Sequence, residues 1–299
     1  MSPDLTNIAK LSDGWSSEPQ IQHRLDLLNK WNIPLGSKVL EIGCGQGDFT
    51  LVAAYMVGDQ GHVTGIDPAP LDYGLYHLNQ WHKSRADNPP GAPMTLGETQ
   101  EKLKQNPIGD RMTFYQSTLE EFLDSSVSEQ VYDYAIFVHS VWYLPSADAL
   151  LSMLAALRGR TKHLLISEYS LDVRGDIAAL PHLLAAISQA EFNSRGSALD
   201  RGDNVQAIIS PPMICAVAQK AGWELQKEDI VESPEGLEDG RWEVHRVLSE
   251  EYTLRSGSSE DASRQGFASA LIHAVAESNR ALGPSQKLRT LPTWLGSWV

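Results

Sequence analysis

The chain has 299 residues, a net charge of −14 and 42% hydrophobic residues. This length allows one substantial buried core, and the acidic balance argues against a nucleic-acid partner, because phosphate binding needs clustered Lys and Arg. The two cysteines, Cys44 and Cys215, have no Cys or His neighbours at metal-ligand spacing. No apolar run approaches the roughly 18 residues of a membrane span, and no secretory signal opens the chain. The composition therefore predicts a cytoplasmic protein without nucleic-acid or membrane partners.

The chain opens with a predicted helical segment over residues 1–37. Ile21, Leu25 and Leu28 recur at helical spacing before Pro34 ends the pattern. The predicted elements that follow are a strand at 39–42, a helix at 49–57 and a strand at 62–66. A strand, a helix and another strand within about thirty residues predict a parallel βαβ unit.

The alternation of helices and strands is interrupted twice, by residues 68–94 and 172–209, which we interpret as insertions. The remaining predicted helices begin at Leu119 or lie at 95–105, 146–157, 177–191, 213–221 and 266–281. The remaining predicted strands lie at 112–116, 132–138, 163–167, 223–230 and 242–248. The last two strands should be antiparallel, because the connection between them is too short for a crossover helix.

These elements predict one domain over residues 1–299, with its core at 38–250 and a helical tail at 251–299. The N-terminal helix, the two insertions and the tail would cover the substrate and exclude water from it. The predicted cover contains the aromatic residues Trp15, Tyr73, Tyr76, Trp81 and Trp294. These side chains indicate an apolar or aromatic substrate.

A glycine-rich turn follows the first predicted strand, over Glu41-Ile42-Gly43-Cys44-Gly45-Gln46-Gly47-Asp48. Glycines at every second position let the chain turn sharply and let a ligand lie against the backbone. The helix that follows presents free N–H groups toward the same place. Asp67 ends the second strand, where a carboxylate can accept both hydroxyls of a ribose. The pattern predicts a site for an adenosine cofactor.

Two classes of adenosine cofactor compete for this site. A nicotinamide-binding turn has the spacing G-x-G-x-x-G, whereas here the third glycine comes one residue early. Glu41 would repel a pyrophosphate but suits a ligand that carries an ammonium and a sulfonium group. The pattern therefore favours S-adenosylmethionine, and an NAD(P)-dependent oxidoreductase remains an alternative.

The segments V-L-E-I-G-C-G-Q-G at 39–47 and I-D-P at 66–68 resemble motifs I and II of the class I (Rossmann-like) S-adenosylmethionine-dependent methyltransferases. More narrowly, the segments at 46–48, 72–74 and 138–146 resemble small-molecule methyltransferases of fungal secondary metabolism. The resemblance implies a doubly wound α/β fold with a seven-stranded sheet, an antiparallel last strand and helical insertions that form a lid. It also implies methyl transfer to a small molecule, with S-adenosylhomocysteine as the product.

The resemblance implies cofactor contacts at nine positions. The methionine part would be surrounded by Glu41, Gly43, Gly45 and Gly47. The ribose would be bound by Asp67, and the adenine would lie near Pro68. Thr118 and Leu119 follow the third strand, where this fold commonly places an Asp that bonds the adenine amine. His139 follows the fourth strand, beside the transferred methyl group.

Methyl transfer needs a nucleophile in line with the methyl carbon and often a base that removes one proton. His139 is the first candidate base, because an unperturbed histidine pKa of about 6.5 suits proton removal at cellular pH, and Glu168 is the second. Oxygen is therefore the first expected acceptor atom and nitrogen the second, and carbon and sulfur remain alternatives. The substrate-binding candidates are Trp142, Tyr143, Tyr169 and His182. The alternatives are a structural role for the two histidines, core packing for the aromatic residues and a solvated carboxylate for Glu168.

No metal site is predicted, because Asp133 precedes the fourth strand and Glu168 stands alone. Methyltransferases that act on catechols cluster acidic ligands after strands four and five instead. A further alternative is a methyltransferase-like fold that binds the cofactor but catalyses another reaction or acts as a regulator.

Overall fold

The structure is a computed structural model that describes residues 3–73, 94–125, 131–194, 205–256, 262–284 and 286–299. Within these ranges the strands are β1 (Lys38–Ile42), β2 (His62–Asp67), β3 (Met112–Gln116), β4 (Tyr132–Val138), β5 (Thr161–Tyr169), β6 (Leu225–Val231) and β7 (Thr293–Trp298). The helices are α1 (Pro3–Ser12), α2 (Glu18–Trp31), α3 (Asp48–Val57), α4 (Leu96–Lys104), α5 (Leu119–Asp124), α6 (Ala147–Ala156), α7 (Leu180–Asn193), α8 (Pro211–Lys220), α9 (Asp239–Val247), α10 (Glu250–Ser256) and α11 (Ala262–Ala281).

The seven strands form one mixed sheet in the order β3-β2-β1-β4-β5-β7-β6. Strands β1 to β5 run parallel to one another, and β7 is antiparallel to both β5 and β6. The chain places β2 and β3 on one side of β1, and β4 and β5 on the other. This reversal makes the carboxyl ends of β1 and β4 the place where such sheets bind ligands. The predicted doubly wound α/β fold, with an antiparallel last strand, is confirmed.

The central strands are buried on both faces. Val39 and Ile136 belong to the buried layer that includes α1, α2 and α3. Leu40 and Phe137 belong to the opposite layer, with α5, α6 and α8. Because both faces are covered, β1 and β4 consist of nearly continuous apolar residues, as is typical of parallel strands.

The predicted strand at 242–248 is wrong, because these residues lie in and just after helix α9. Trp242 and Val244 alternate with polar residues, which suggested a strand. The residues that α9 buries are Gly240, Val244 and Val247, at intervals of four and three that suit a helix. Residues 223–230, in contrast, correspond closely to β6.

The antiparallel last strand is β7, which lies in the segment predicted as a helical tail. Helices α10 and α11 agree with that prediction, but β7 inserts between β5 and β6. Trp294 and Trp298 are buried there, with 5% and 1% of their surface exposed. Trp294 therefore packs within the sheet layer and is not part of a cover over the substrate.

The predicted cover is described only in part. Most of the insertion at 68–94, with Tyr76 and Trp81, lies outside the described residues, as does 195–204. The described part of the second insertion contains α7, which packs against α9 and α11. Helices α7 and α9 contact Tyr169 at the carboxyl end of β5 through His182 and Asp239. A closed lid stays a prediction. Within the described ranges, no helix combines the length and the apolar character needed to cross a bilayer.

The packing of β7 makes a testable prediction about Gly296. A Cβ at this position would overlap the ring of Trp298 and lie 2.8 Å from Trp294 Cη2. We expect Gly296→Val to lower the free energy of unfolding by about 1–3 kcal/mol, as overpacking does in cores. Urea titration measures this value.

The matched control is Gly266→Ala in α11, where no described atom lies within 4 Å of an added Cβ. This change should raise the free energy of unfolding by up to about 1 kcal/mol, because alanine favours a helix. Equal urea midpoints for the two variants would contradict the packing described for β7.

Candidate active site

The glycine loop between β1 and α3 has left-handed backbone at three positions. Gly43, Gly45 and Gly47 have φ angles of 77°, 51° and 94°, which favour glycine. A Cβ on Gly43 would lie 2.6 Å from the Cβ of Ser140, so glycine lets the loop pass close to the segment after β4. No described atom lies within 4 Å of a Cβ added to Gly45. The loop is therefore packed at Gly43 and open at Gly45, as a ligand lying on the backbone requires.

Asp67 ends β2 beside this open part of the loop. Its Oδ2 accepts the N–H of Gly45 at 2.8 Å, and its Oδ1 accepts the N–H of Ala69 at 2.8 Å. Each carboxylate oxygen can accept a further hydrogen bond. The structure thus brings Asp67 and Gly45 together and leaves the carboxylate able to receive the hydroxyls of a ribose.

Glu41 lies buried next to the loop, with 3% of its surface exposed. Its Oε2 accepts the hydroxyl of Thr50 at 2.5 Å. Burial raises the pKa of Glu41 to about 8, although Thr50 and the charge of Arg24 favour the ionised form. The carboxyl group is therefore mainly protonated at neutral pH, and a cation bound beside it would favour ionisation. Its contact with the methionine part of a cofactor stays a prediction.

Thr118, in the segment after β3, caps the N-terminus of helix α5. Thr118 Oγ1 accepts the N–H of Glu121, whose carboxylate accepts the N–H of Thr118 at 3.0 Å. Leu119 is buried in the apolar layer below. The hydroxyl of Thr118, at the position where the resemblance expects an Asp, is thus part of the helix cap. The adenine contacts of Pro68, Thr118 and Leu119 stay predictions.

His139 follows β4 with a left-handed backbone, at φ 50°. Its buried ring stacks on Tyr169, with 4.0 Å between the ring centroids. Its Nε2 lies 3.0 Å from Nε2 of His23, and its Nδ1 lies 3.6 Å from Oε1 of Glu168. Burial and the charge of Arg24 lower the pKa of His139 to about 3. The imidazole is therefore neutral at cellular pH and can accept a hydrogen bond.

Glu168, at the end of β5, is bonded mainly to backbone. Its Oε2 accepts the N–H groups of Val141 and Trp142, both at 3.1 Å, and its Oε1 accepts that of Tyr169 at 2.9 Å. Burial raises its pKa to about 7 in spite of these three donors. This geometry favours a role in positioning the loop that carries His139. A direct catalytic role for Glu168 stays a prediction.

The aromatic pair after His139 separates into a core residue and a surface residue. Trp142 is 2% exposed, donates its Nε1–H to the carbonyl of Ile209 and packs in the core. The side chain of Tyr143 is about half exposed. Trp142 thus has the packing role that the sequence left open, whereas a substrate contact of the partly exposed Tyr143 stays a prediction.

Tyr169 and His182 meet at the carboxyl end of β5. The hydroxyl of Tyr169 donates to Oδ1 of Asp239 at 2.7 Å. The ring of His182 lies edge-on to that of Tyr169, with 4.9 Å between centroids. Both rings are buried. The structure therefore brings His139, Tyr169 and His182 into one cluster.

Four further residues join this cluster and were missed by the sequence analysis: His23, Arg24, Asp239 and Thr293. A signal was present for the first two, because α2 buries both of them beside Ile21 and Leu25. Titratable side chains on the buried face of a helix are uncommon unless they serve a site. Asp239 and Thr293 gave no such signal, because their elements were assigned wrongly.

The family follows from a comparison with known proteins. A family model described as "Methyltransferase domain" matches residues 17–228, which include the glycine loop, Asp67 and His139. The chain belongs to this methyltransferase family. Its cofactor is S-adenosylmethionine, for which the open backbone at Gly45 and the carboxylate of Asp67 form a suitable site.

Individual relatives of this methyltransferase are distant in sequence. Methyltransferase phomM of Diaporthe leptostromiformis is 24% identical over 293 residues, covering 78% of this chain and 71% of the relative. A structure of a cyclopropane-fatty-acyl-phospholipid synthase-like protein from Lactobacillus casei is 27% identical, with a TM-score of 0.78. That match covers 98% of this chain and 99% of the other. The likeness thus extends over nearly the whole methyltransferase fold.

The open backbone at Gly45 predicts the effect of a single added methyl group. We expect Gly45→Ala to lower the affinity for S-adenosylhomocysteine at least tenfold, because the methyl group would occupy the place of the ligand. Calorimetric titration measures the affinity. The control is Gly159→Ala before β5, which has a φ of 78° and open space for a Cβ. Both changes carry similar backbone strain, of about 1–2 kcal/mol, but only the first should weaken binding. Equal affinities would place the cofactor elsewhere.

The raised pKa of Glu41 predicts a pH-dependent stability. The folded protein retains this proton up to about pH 8, whereas the unfolded chain loses it near pH 4.3. The contribution of Glu41 to the free energy of unfolding should therefore be fully present at low pH and decrease as the pH rises to 8. Glu41→Gln removes this titration, so the wild type should lose several kcal/mol relative to the variant between pH 5 and pH 8.

Urea unfolding of both proteins across this pH range measures the difference, in which other titrating groups cancel. The exposed Glu101 supplies the control variant Glu101→Gln. A difference between wild type and Glu41→Gln that does not change with pH would show that Glu41 is ionised in the folded protein.

Proposed function

We propose that this methyltransferase transfers the methyl group of S-adenosylmethionine to oxygen, or secondly to nitrogen, of a small organic molecule. The acceptor would lie between the ends of β4 and β5 and helices α2, α7 and α9. The supporting observation is the position of His139. Ser140, the next residue, contacts the cofactor loop at Gly43, and the ring of His139 lies on Tyr169 in the polar cluster. His139 thus lies between the cofactor loop and the polar cluster, which supports its assignment as the base.

The bound cofactor supplies an electrophilic methyl group, and the protein supplies the means to remove a proton. His139 is neutral and can accept the proton of the acceptor, while Glu168 at 3.6 Å stabilises the resulting imidazolium. A base whose pKa is about 3 before the ligands bind favours an acceptor that loses its proton easily. This supports a phenolic hydroxyl, or an ammonium group, over an aliphatic alcohol.

The surroundings of the cluster support an aromatic acceptor with polar substituents. The accessible ring of Tyr143 and the ring of Tyr169 can pack against a flat molecule. The polar atoms of Arg24, His182 and Asp239 lie beside them. A purely apolar substrate would leave these groups without partners, at an energetic cost.

The first experiment is a calorimetric titration with S-adenosylmethionine, S-adenosylhomocysteine and NADH, with Asp67→Ala as the control. Micromolar binding of the first two ligands that is lost in Asp67→Ala supports the cofactor site. Binding of NADH instead would support the oxidoreductase alternative. Release of S-adenosylhomocysteine with phenols or amines then identifies the acceptor. Cofactor binding without such release for any acceptor would support the alternative of a fold that binds the cofactor without methylating.

The proposed base predicts a loss of turnover. We expect His139→Ala to lower kcat by about 10²–10⁴-fold with the acceptor found in this way, because general base catalysis contributes that much. His163→Ala, near the other end of β5, should leave kcat unchanged. Unchanged turnover in His139→Ala would show that this histidine has only a structural role.

A further inference from the structure

The tautomer of His182 is determined by its backbone partner. Its Nδ1 accepts the N–H of Leu291 at 3.0 Å, and burial lowers its pKa to about 4. A neutral imidazole that accepts at Nδ1 carries its proton on Nε2. This Nε2–H is buried and has no hydrogen-bond partner among the described residues. His182 therefore presents one unused donor.

Asp239 presents one unused acceptor. Its Oδ1 accepts the hydroxyl of Tyr169 and lies 3.9 Å from Nη2 of Arg24. Its Oδ2 is buried and has no hydrogen-bond partner in the part of the chain that the structure describes. Burial opposes ionisation, but the charge of Arg24 and the hydrogen bond from Tyr169 favour the ionised form, and the pKa of Asp239 is lowered. Oδ2 is therefore an oxygen of a charged carboxylate without a donor.

His182 and Asp239, which carry the two unused groups, both contact Tyr169. The ring of Tyr169 contacts His182 at its edge and Asp239 through its hydroxyl. A Cβ on Gly240, the residue after Asp239, would lie 3.1 Å from Cγ of His182. Gly240 thus lets the start of α9 approach α7 closely. Buried polar groups are almost always hydrogen-bonded in proteins, so an unused donor and an unused acceptor that both lie next to Tyr169 indicate a ligand. Nε and Nη1 of Arg24, which lies beside Asp239, are further buried donors without a hydrogen-bond partner among the described residues.

We propose that Asp239 and His182 hold a hydroxyl group of the acceptor molecule, an inference that rests on the methyl-transfer function proposed above. A hydroxyl can donate to Oδ2 of Asp239 and accept from Nε2–H of His182 at the same time. An ammonium group has no lone pair for His182, and a carboxylate has no proton for Asp239. A hydroxyl is therefore the simplest group that satisfies both.

This hydroxyl is an anchor and not the atom that is methylated. His139 stacks on the face of Tyr169, whereas His182 lies at its edge and Asp239 at its hydroxyl. The base and the anchoring pair therefore contact different parts of the acceptor. Asp239 and His182 would select acceptors that carry a hydroxyl at a distance from the reacting atom.

The test uses three probes on one ring: benzyl alcohol, benzylamine and benzoate. The full chain is first loaded with S-adenosylhomocysteine, and each probe is titrated by NMR. Benzyl alcohol should bind at least tenfold more tightly than either charged probe. Tighter binding of benzoate would assign the site to a carboxylate, and tighter binding of benzylamine would assign it to an ammonium group. Either result, or binding of no probe, overturns the proposal.

Variants at the two residues identify the groups responsible. His182→Asn keeps an acceptor for the N–H of Leu291 but removes the Nε2–H, whereas His182→Gln keeps a donor near Nε2. Asp239→Asn removes the charge with little change in shape. We expect a loss of at least tenfold in benzyl alcohol affinity for His182→Asn and Asp239→Asn, and a smaller loss for His182→Gln. His163→Asn, on β5 away from the cluster, should change nothing.

The same titrations separate this inference from the proposed function. Affinity for S-adenosylhomocysteine should stay within twofold of wild type in all of these variants, which also shows that they are folded. If the wild type fails to bind S-adenosylhomocysteine, the function is wrong. If S-adenosylhomocysteine binds but the variants leave the affinity for benzyl alcohol unchanged, Asp239 and His182 bind only water. The anchor proposal is then wrong.

Discussion

The functional end of the sheet depends on the buried carboxylate of Glu168. Its two oxygens accept the N–H groups of Val141, Trp142 and Tyr169, and so join the end of β5 to the loop after β4. Without it, three backbone donors would be buried without partners, which is unfavourable. The left-handed backbone of His139 lies in this loop. The candidate base is therefore positioned by a side chain on the neighbouring strand.

The cofactor half of the site could be predicted from the sequence because its determinants are local. Gly43, Gly45 and Gly47 lie in one turn, and Asp67 ends the next strand of the same βαβ unit. Parallel pairing of β1 with β2 then brings Asp67 to Gly45, whichever side chains surround them. The backbone conformation and the strand order determine the geometry of such a motif, so a short stretch of sequence is enough to predict it.

The acceptor half could be predicted only in part, because it combines residues from distant elements. His139 follows β4 and Tyr169 ends β5, and these positions in the sequence were enough to indicate both residues as members of the site. Asp239 was missed because alternating residues after it suggested a strand, although the buried residues of α9 follow helical spacing. Thr293 was missed because β7 pairs with β5 across more than a hundred residues of sequence. No local pattern encodes such a pairing, and only the completed sheet reveals it.

The contact between His23 and Thr293 joins residues that are 270 positions apart. During synthesis, the glycine loop and β1 to β5 emerge from the ribosome long before β7 does. Strand β6 reaches its place in the sheet only through β7, and contacts between distant segments form late because closing long loops costs entropy. The nascent chain can therefore form its cofactor loop well before its acceptor cluster. In each newly synthesised molecule, the cofactor half of the site would thus exist before the acceptor half.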